Sequence, residues 1–404
     1  MKTARLLALL AAAATAASLL PRDAAAVPVF ARKYGFNCTM CHSAYPRLND
    51  FGARFRAGGY RLPGLGNAEK TVLETPPPVA LRTSAGYVYD VLQHSQPPDA
   101  DGKRSTVELA GLDLLSGGLL GPRVGFFLVY VPGIPASRGV AEQEAALEMA
   151  SVVFSGLAGD QLTVRAGRFE PAYAAFSVKR HLSLSGYEVY GYSFPGGPTF
   201  SDTQTGLELR GSGFWPVRIL GGVVEGSATN RAEDPPQDAY LRLEGVVGPG
   251  EGQTAGQRLG LTGYLGRARP DVLVAATTDR TATFARLGAD ASLNGAGLNL
   301  AAQVLWGQDD GPLWGRDDRT DWWGGFAELS GSLAPGTVGF ARFDYLKEPD
   351  FLDRSITRFT AGGRFYFEDA VALHLEYSHR MTAVENVQDD PAEDFIAVRL
   401  DLAI

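Results

Sequence analysis

The chain has 404 residues, a formal net charge of −8, two cysteines, 49 glycines and 10% aromatic side chains. The acidic balance leaves no basic footprint for nucleic acid. Glycine stands well above its usual ~7%, which with the aromatic share is unlike an ordinary soluble enzyme.

At the start, Lys2 and Arg5 precede an apolar run from Leu6 to Leu20, and Ala24-Ala25-Ala26 follows. This is the pattern of a secretory signal with a small-residue cleavage site, so 1–26 is expected to be removed and the mature chain to begin near Val27. Beyond it no stretch approaches the roughly 18 to 20 apolar residues of a membrane-spanning helix.

The next segment, 27–80, carries both cysteines in Cys38-Thr39-Met40-Cys41-His42. C-x-x-C-H is the attachment pattern of a c-type haem: each thiolate adds to a vinyl group, and the adjacent imidazole faces the iron. A redox disulfide would want a thioredoxin-like βαβ context, and zinc would want two further Cys or His nearby; neither occurs between Val27 and Arg82. Covalent haem attachment takes place outside the bacterial cytoplasmic membrane, so the export signal agrees. We therefore expect one covalent haem c, bound by Cys38 and Cys41, with His42 as the proximal iron ligand. A segment this short is marginal as a domain without staples or partners. A helix is expected with Pro46 in its first turn, Leu48, Phe51 and Phe55 along one face, and Gly58-Gly59 at its end.

From 81 to 404 the chain is a succession of segments near ten residues long with alternating apolar and polar side chains, as in Leu241, Arg242, Leu243, Glu244. Period two means strands. About sixteen can be counted, near 81–93, 105–116, 122–132, 144–156, 162–170, 204–212, 216–226, 238–247, 257–267, 282–293, 297–306, 321–332, 337–346, 356–367, 371–380 and 394–404. A soluble sandwich of hairpins would also alternate, its polar face solvated. Link lengths separate the two, because long and short links alternate throughout, as in outer-membrane barrels with short periplasmic turns and longer external loops. The expected fold is mainly β: a transmembrane antiparallel barrel of about sixteen strands, 81–404, with a small N-terminal α-helical haem domain, 27–80. Both chain ends then lie on the periplasmic side. Tyr87, Tyr89, Trp322, Trp323, Phe365, Phe367 and Tyr377 fall near strand ends or on the apolar face, where interfacial girdles sit. The last strand ends on Ile404 where an aromatic residue is usual.

A sixth iron ligand is harder to find. Met40 sits between the cysteines, no other methionine or histidine follows His42 in the small segment, and a His/Met iron is open only if the barrel supplies the sulfur. Among histidines, His374 shares phase with Glu376 and Ser378 and should face the lumen. His181 lies in the longest link, which could fold inward as a plug. These two are the candidate distal ligands; His94 falls near an external rim, and His379 shares phase with Leu373 and Leu375. Acidic clusters in long links, Asp309, Asp310, Asp317, Asp318 and Asp321, then Asp389, Asp390, Glu393 and Asp394, could concentrate cations at the mouth. Inward Arg165, Arg210, Arg242, Arg364 and Arg399 could pair with lumen carboxylates or haem propionates.

The run Pro28-Val29-Phe30-Ala31-Arg32, Gly35, the Cys38–His42 motif, Pro46-Arg47-Leu48, Phe51-Gly52, Phe55 and Gly59-Tyr60 resembles the fused outer-membrane monohaem cytochrome-porins, a group that includes the outer-membrane iron-oxidising cytochromes of neutrophilic and acidophilic bacteria. The resemblance covers about 28–62 in detail and the remainder only in architecture. It implies a haem held in or against a barrel of the bacterial outer membrane, passing electrons between the cell exterior and periplasmic carriers. The partners it implies are a periplasmic cytochrome or other electron carrier, outer-membrane lipid, and extracellular Fe(II) or another redox partner. If iron is the donor, the activity is Fe(II):cytochrome c oxidoreduction. Two alternatives stand beside this: a diffusion porin with a haem-containing plug or gas-sensing domain, and outward electron transfer to an external acceptor.

Overall fold

The computed structural model describes residues 29–37, 40–44, 46–62, 69–74, 78–93, 102–136, 142–193, 199–214, 216–226, 238–248, 256–268, 282–311, 319–350, 352–368, 370–384 and 390–403. Sixteen antiparallel strands close into one barrel, from Val79–Gln93 to Ala392–Ala403. The first and last strands pair directly, Tyr89 opposite Ile396 and Ser84 opposite Asp401, so the sheet has no free edge.

The alternation seen in sequence is the inside-out division of the wall. In Asp238–Val247, Tyr240 and Arg242 are buried inside while Leu241 and Leu243 are exposed outside. The pattern repeats around the barrel, with Leu261, Val304 and Phe343 on the outer face and Arg342, Asp344 and Glu328 enclosed within. Charges inside and leucines outside are the reverse of a soluble sandwich and the requirement of a lipid-facing barrel.

Each of the sixteen expected segments is a strand, and long and short links alternate as expected. Several strands run further into the long-link side than apolar periodicity suggested: Leu298–Asp310 beyond 306, Val371–Val384 beyond 380, and Arg319–Ala334 from before 321. There the ladder continues with polar partners, such as Asp310 opposite Arg319, where no greasy face is needed. Among the short turns, Ala296 and Gly297 both have positive φ (51° and 77°), the twist that a two-residue hairpin needs. Trp322 departs from expectation. It points inward, packed on Tyr192 and beneath the Arg286 guanidinium, and only Trp323 faces outward.

Two pieces of chain fill the lumen. The link between Leu162–Phe169 and Gln204–Phe214 folds inward, and its described residues are tied to the wall at several points. Asp290 accepts from Ala175 N (2.9 Å), Gln303 from Tyr190, and Glu376 from Leu184 N (2.5 Å) and Ser185 N (3.0 Å), while Arg342 donates to Ser183, Ser185 and Gly186. The second piece is the N-terminal segment. Where a small helical domain was expected, the described residues form two short helices, Val29–Tyr34 and Asp50–Ala57, and a ribbon pairing His42–Ala44 with Arg47–Leu48. So short a segment cannot enclose a core of its own, and it borrows the barrel's inner wall instead.

Candidate functional site

The turn bearing Cys41 and His42 is fixed by the residues that follow it. Asn49 caps the helix Asp50–Ala57 by accepting from Gly52 N (2.9 Å), and the same side chain donates to the Met40 carbonyl (3.0 Å). The Asn49 backbone N–H donates to Cys41 O (2.9 Å). Gly52 lies so close to the Cys41 carbonyl that a Cβ there would collide with it. The helix therefore begins at Asp50, and Pro46 lies in the ribbon turn before it rather than in the first helical turn. A side-chain cap outcompetes the proline preference here.

Behind this turn stands an aromatic cluster. Phe30 stacks on Tyr60 (4.9 Å) and meets Phe55 edge-on (5.1 Å), and Phe51 stacks on Phe55 (6.3 Å). Tyr60 in turn stacks on Phe127 of the wall (5.5 Å), and Gly59 packs against Val153. The seat is secured by charge as well. Arg47 donates to Glu328 and to Tyr187 (3.1 Å), and Asp50 pairs with Arg258 (2.9 Å). Arg47 thus ties the ribbon to both the wall and the inward link.

Between segment and wall is a cavity of about 450 Å³, lined by Cys41 and His42 together with Phe30, Phe36, Phe55 and Tyr60. That volume lies within the range of cofactor and ligand sites. Burial pushes the His42 imidazole down to about 4, and its ring is hydrogen-bonded to the backbone at Pro46 and Arg47. A neutral imidazole oriented by backbone is the form that ligates a metal. Burial also pushes the Cys41 thiol up, the opposite of a reactive or zinc-binding thiolate.

The same cavity is rich in arginines. Arg54 and Arg258 share Asp50, Arg165 and Arg210 share Glu208, and Arg218 and Arg242 share Glu244, with Asp290 a further partner of Arg242. All six guanidiniums line the cavity, and four carboxylates serve them. Arg364 and Arg399 stand elsewhere, paired with Asp401 (3.3 Å) and Glu108 (3.2 Å).

The structure separates the remaining candidates. Cys38 and His94 lie outside the described residues. His181, in the inward link, places Nδ1 2.6 Å from Ser183 O and lines a second cavity of about 310 Å³ with Arg82, Asp113, Arg364 and Asp401. His374 faces the lumen, fully buried, with Nε2 3.1 Å from Glu376 Oε2. Neither lines the cavity of His42. His379 is partly exposed and pairs with Asp394 (2.9 Å). Of the acidic clusters, Asp309 pairs with Arg286 (2.6 Å), Asp310 with Arg319 (2.7 Å), Asp321 accepts from Gln308 (3.0 Å), and Asp390 accepts from Val384 N (3.2 Å). These carboxylates are engaged in holding strands and links; Asp317, Asp318 and Asp389 lie outside the described residues. Among the described residues no group of three or more His, Cys, Asp and Glu could hold a metal ion.

Asn49, Gly52 and Arg47 escaped the sequence reading as site-building residues. The Asn49-Asp50 pair ahead of Phe51 and Phe55 was a legible cap signal; the wall partners of Arg47 lie hundreds of residues away and left no local trace.

No sequence-family profile matches the chain, and no curated protein does. Its fold is similar to solved outer-membrane porins. An anion-selective porin from Comamonas acidovorans is 12% identical, with 81% of this chain and 100% of that chain covered and a TM-score of 0.57. The outer membrane channel DcaP of Acinetobacter baumannii is 9% identical over 81% and 97%, at 0.56. Salmonella typhi OmpF, in complex with daunomycin, is 9% identical over 82% and 100%, at 0.55. At these identities the likeness is one of fold, a closed sixteen-strand porin-like barrel.

Proposed function

We propose that this chain is an outer-membrane electron conduit. In this reading a porin-like barrel encloses, on its N-terminal segment, one covalent haem c held by Cys38, Cys41 and His42. It moves electrons between the cell exterior, with extracellular Fe(II) as the first donor to test, and a periplasmic cytochrome or other carrier. The observation that carries the reading is that Cys41 and His42 line a lumenal cavity shared by aromatic rings and arginines.

The donor set fits the group. His42 is kept neutral by burial, and Asn49 and Gly52 fix the turn between Cys41 and the helix. The aromatic cluster suits the faces of a large apolar ring, and the guanidinium surplus suits its two carboxylates. When bound, the haem supplies a one-electron store whose potential follows its axial ligands and its burial. The chain's own part is to hold it inside a membrane whose apolar band is about 25 Å tall, which shortens the gap to both sides. The porin-like fold supports an outer-membrane location, and by the usual disposition of short turns both ends of the chain would be periplasmic.

A second reading, a diffusion channel in which the segment is a plug or gas sensor, is favoured by the polar cavity of about 310 Å³ at Arg82, Asp113 and His181. One experiment separates them. The purified protein in liposomes is mixed anaerobically with Fe(II), and the haem bands and ionic conductance are followed together. Rapid reduction with low conductance supports the conduit, whereas oxidised bands beside high conductance would defeat it. His42→Ala should abolish reduction either way.

A further inference from the structure

Among the described residues one methionine lines the cavity of His42. Met149 lies on the strand Ala146–Leu157, points inward and is 8% exposed. It lines the same cavity as Cys41 and His42. The ribbon that carries His42 packs against the strand Arg319–Ala334, which stands eight places from Ala146–Leu157 around the sixteen-strand ring in either direction. The ribbon that bears His42 thus rests on the wall across the ring from the strand of Met149.

Met149 has mixed neighbours: Val129 stands opposite it in the ladder and Val153 shares its face of the strand, both buried, while Ser151 and Ser155 lie on that face too. Arginines line the same cavity. The other methionines among the described residues are turned elsewhere: Met40 is 40% exposed and Met381 is 44% exposed on the outer face. The two histidines that sequence phase favoured, His181 and His374, both hydrogen-bond within the other part of the lumen. Tyr60 is the cavity's remaining aromatic oxygen, but it is committed to ring stacking with Phe30 and Phe127.

From this placement we infer that Met149 is the distal ligand of the haem iron, a sulfur supplied by the barrel wall opposite the imidazole of His42. The inference rests on the haem reading given above and extends it. Methionine suits the role physically, since an unbranched chain with three rotatable bonds can reach into the cavity without moving the strand. His/Met ligation also raises the reduction potential of a haem, as accepting electrons from a weak external reductant requires. The wall would then control the potential, while the N-terminal segment provides the attachment.

The test uses the full-length protein in detergent. Wild type, Met149→Leu, Met149→His and His374→Ala are compared by intact mass, absorption and redox titration. Leucine conserves volume, so the barrel should persist, as checked by heat-modifiable migration. Wild type should show the long-wavelength sulfur-to-iron charge-transfer band of the oxidised form. Met149→Leu should lose it, become high-spin and gain carbon monoxide binding when reduced. Met149→His should return to low spin without the band and at a lower potential. A porphyrin-bearing chain whose band and spin state survive Met149→Leu, or whose wild type lacks the band, overturns the ligand assignment alone. A wild-type mass without porphyrin overturns the haem reading and this inference with it.

Discussion

Arg47, in the ribbon beside His42, donates to Glu328 on the inner wall, and both side chains are buried, 6% and 0% exposed. The pair joins residues 281 apart in sequence and ties the N-terminal segment to the barrel. Tyr187 of the inward link completes the junction, donating to Glu328 (3.4 Å) while accepting from Arg47.

Breaking that tie should unseat the segment without opening the wall. Removing one partner of a buried ion pair costs about 3–5 kcal/mol, because the other charge stays behind unpaired. Arg47→Met is expected to leave heat-modifiable barrel intact and to make residues 29–62 accessible to protease. Arg47→Met with Glu328→Gln should recover most of the loss. Equal resistance of the single and parent proteins would mean that the aromatic cluster and the Asp50–Arg258 pair hold the segment without it.

The turn around Cys41 should be intolerant of a single methyl group. Gly52→Ala would drive a Cβ into the Cys41 carbonyl and part the helix from the turn, lowering the porphyrin-bearing fraction severalfold as read by intact mass. Asn49→Ala, which loses a cap worth about 1 kcal/mol, should lower it less. If Gly52→Ala loads as fully as the parent, the turn does not need its present geometry for attachment.

His374→Ala should be spectroscopically silent and structurally costly. His374 supports Glu376, which in turn accepts the Leu184 and Ser185 amides of the inward link. Its removal is expected to cost about 1–3 kcal/mol at that junction, seen as faster proteolysis of the link. Altered haem bands would restore His374 as a ligand candidate.

Docking of the inward link should weaken in acid. His181 is pushed from its ordinary 6.5 down to about 4, by burial first and then by Arg342, with Arg364 acting the same way and Glu376 and the Ser183 carbonyl opposing. Lys179 and Arg180 adjoin it on the link, and Arg82, Asp113 and Asp401 line its cavity from the wall. A depressed histidine docks fully above 6.5. As pH falls from there toward 4, the released link takes up a proton that the docked link refuses, so docking loses up to about tenfold per pH unit. Amide exchange across 171–193 should quicken over that window in the parent and less in His181→Gln. An identical pH profile in both would exclude His181 as the cause.

Much of this was legible because a barrel wall repeats one local rule. All sixteen strands, the alternation of link lengths and the inward-folded link around His181 follow from period two and from chain length between strands. What local pattern cannot carry is contact across the lumen. Trp322 and Trp323 are adjacent and chemically alike, and only the register with Phe326 and Glu328 decides that Trp322 turns inward. Met149 stood in the sequence as one methionine among four, and its place across the ring from the strand that carries the His42 ribbon is set by the count of strands between two walls. The ends of strands were underestimated for a related reason, since ladder hydrogen bonds outlast the greasy face that reveals them.

The pairing of Val79–Gln93 with Ala392–Ala403 joins the two ends of the barrel sequence, so that deleting either terminal strand would unclasp the cylinder and leave two bare edges open to sticking.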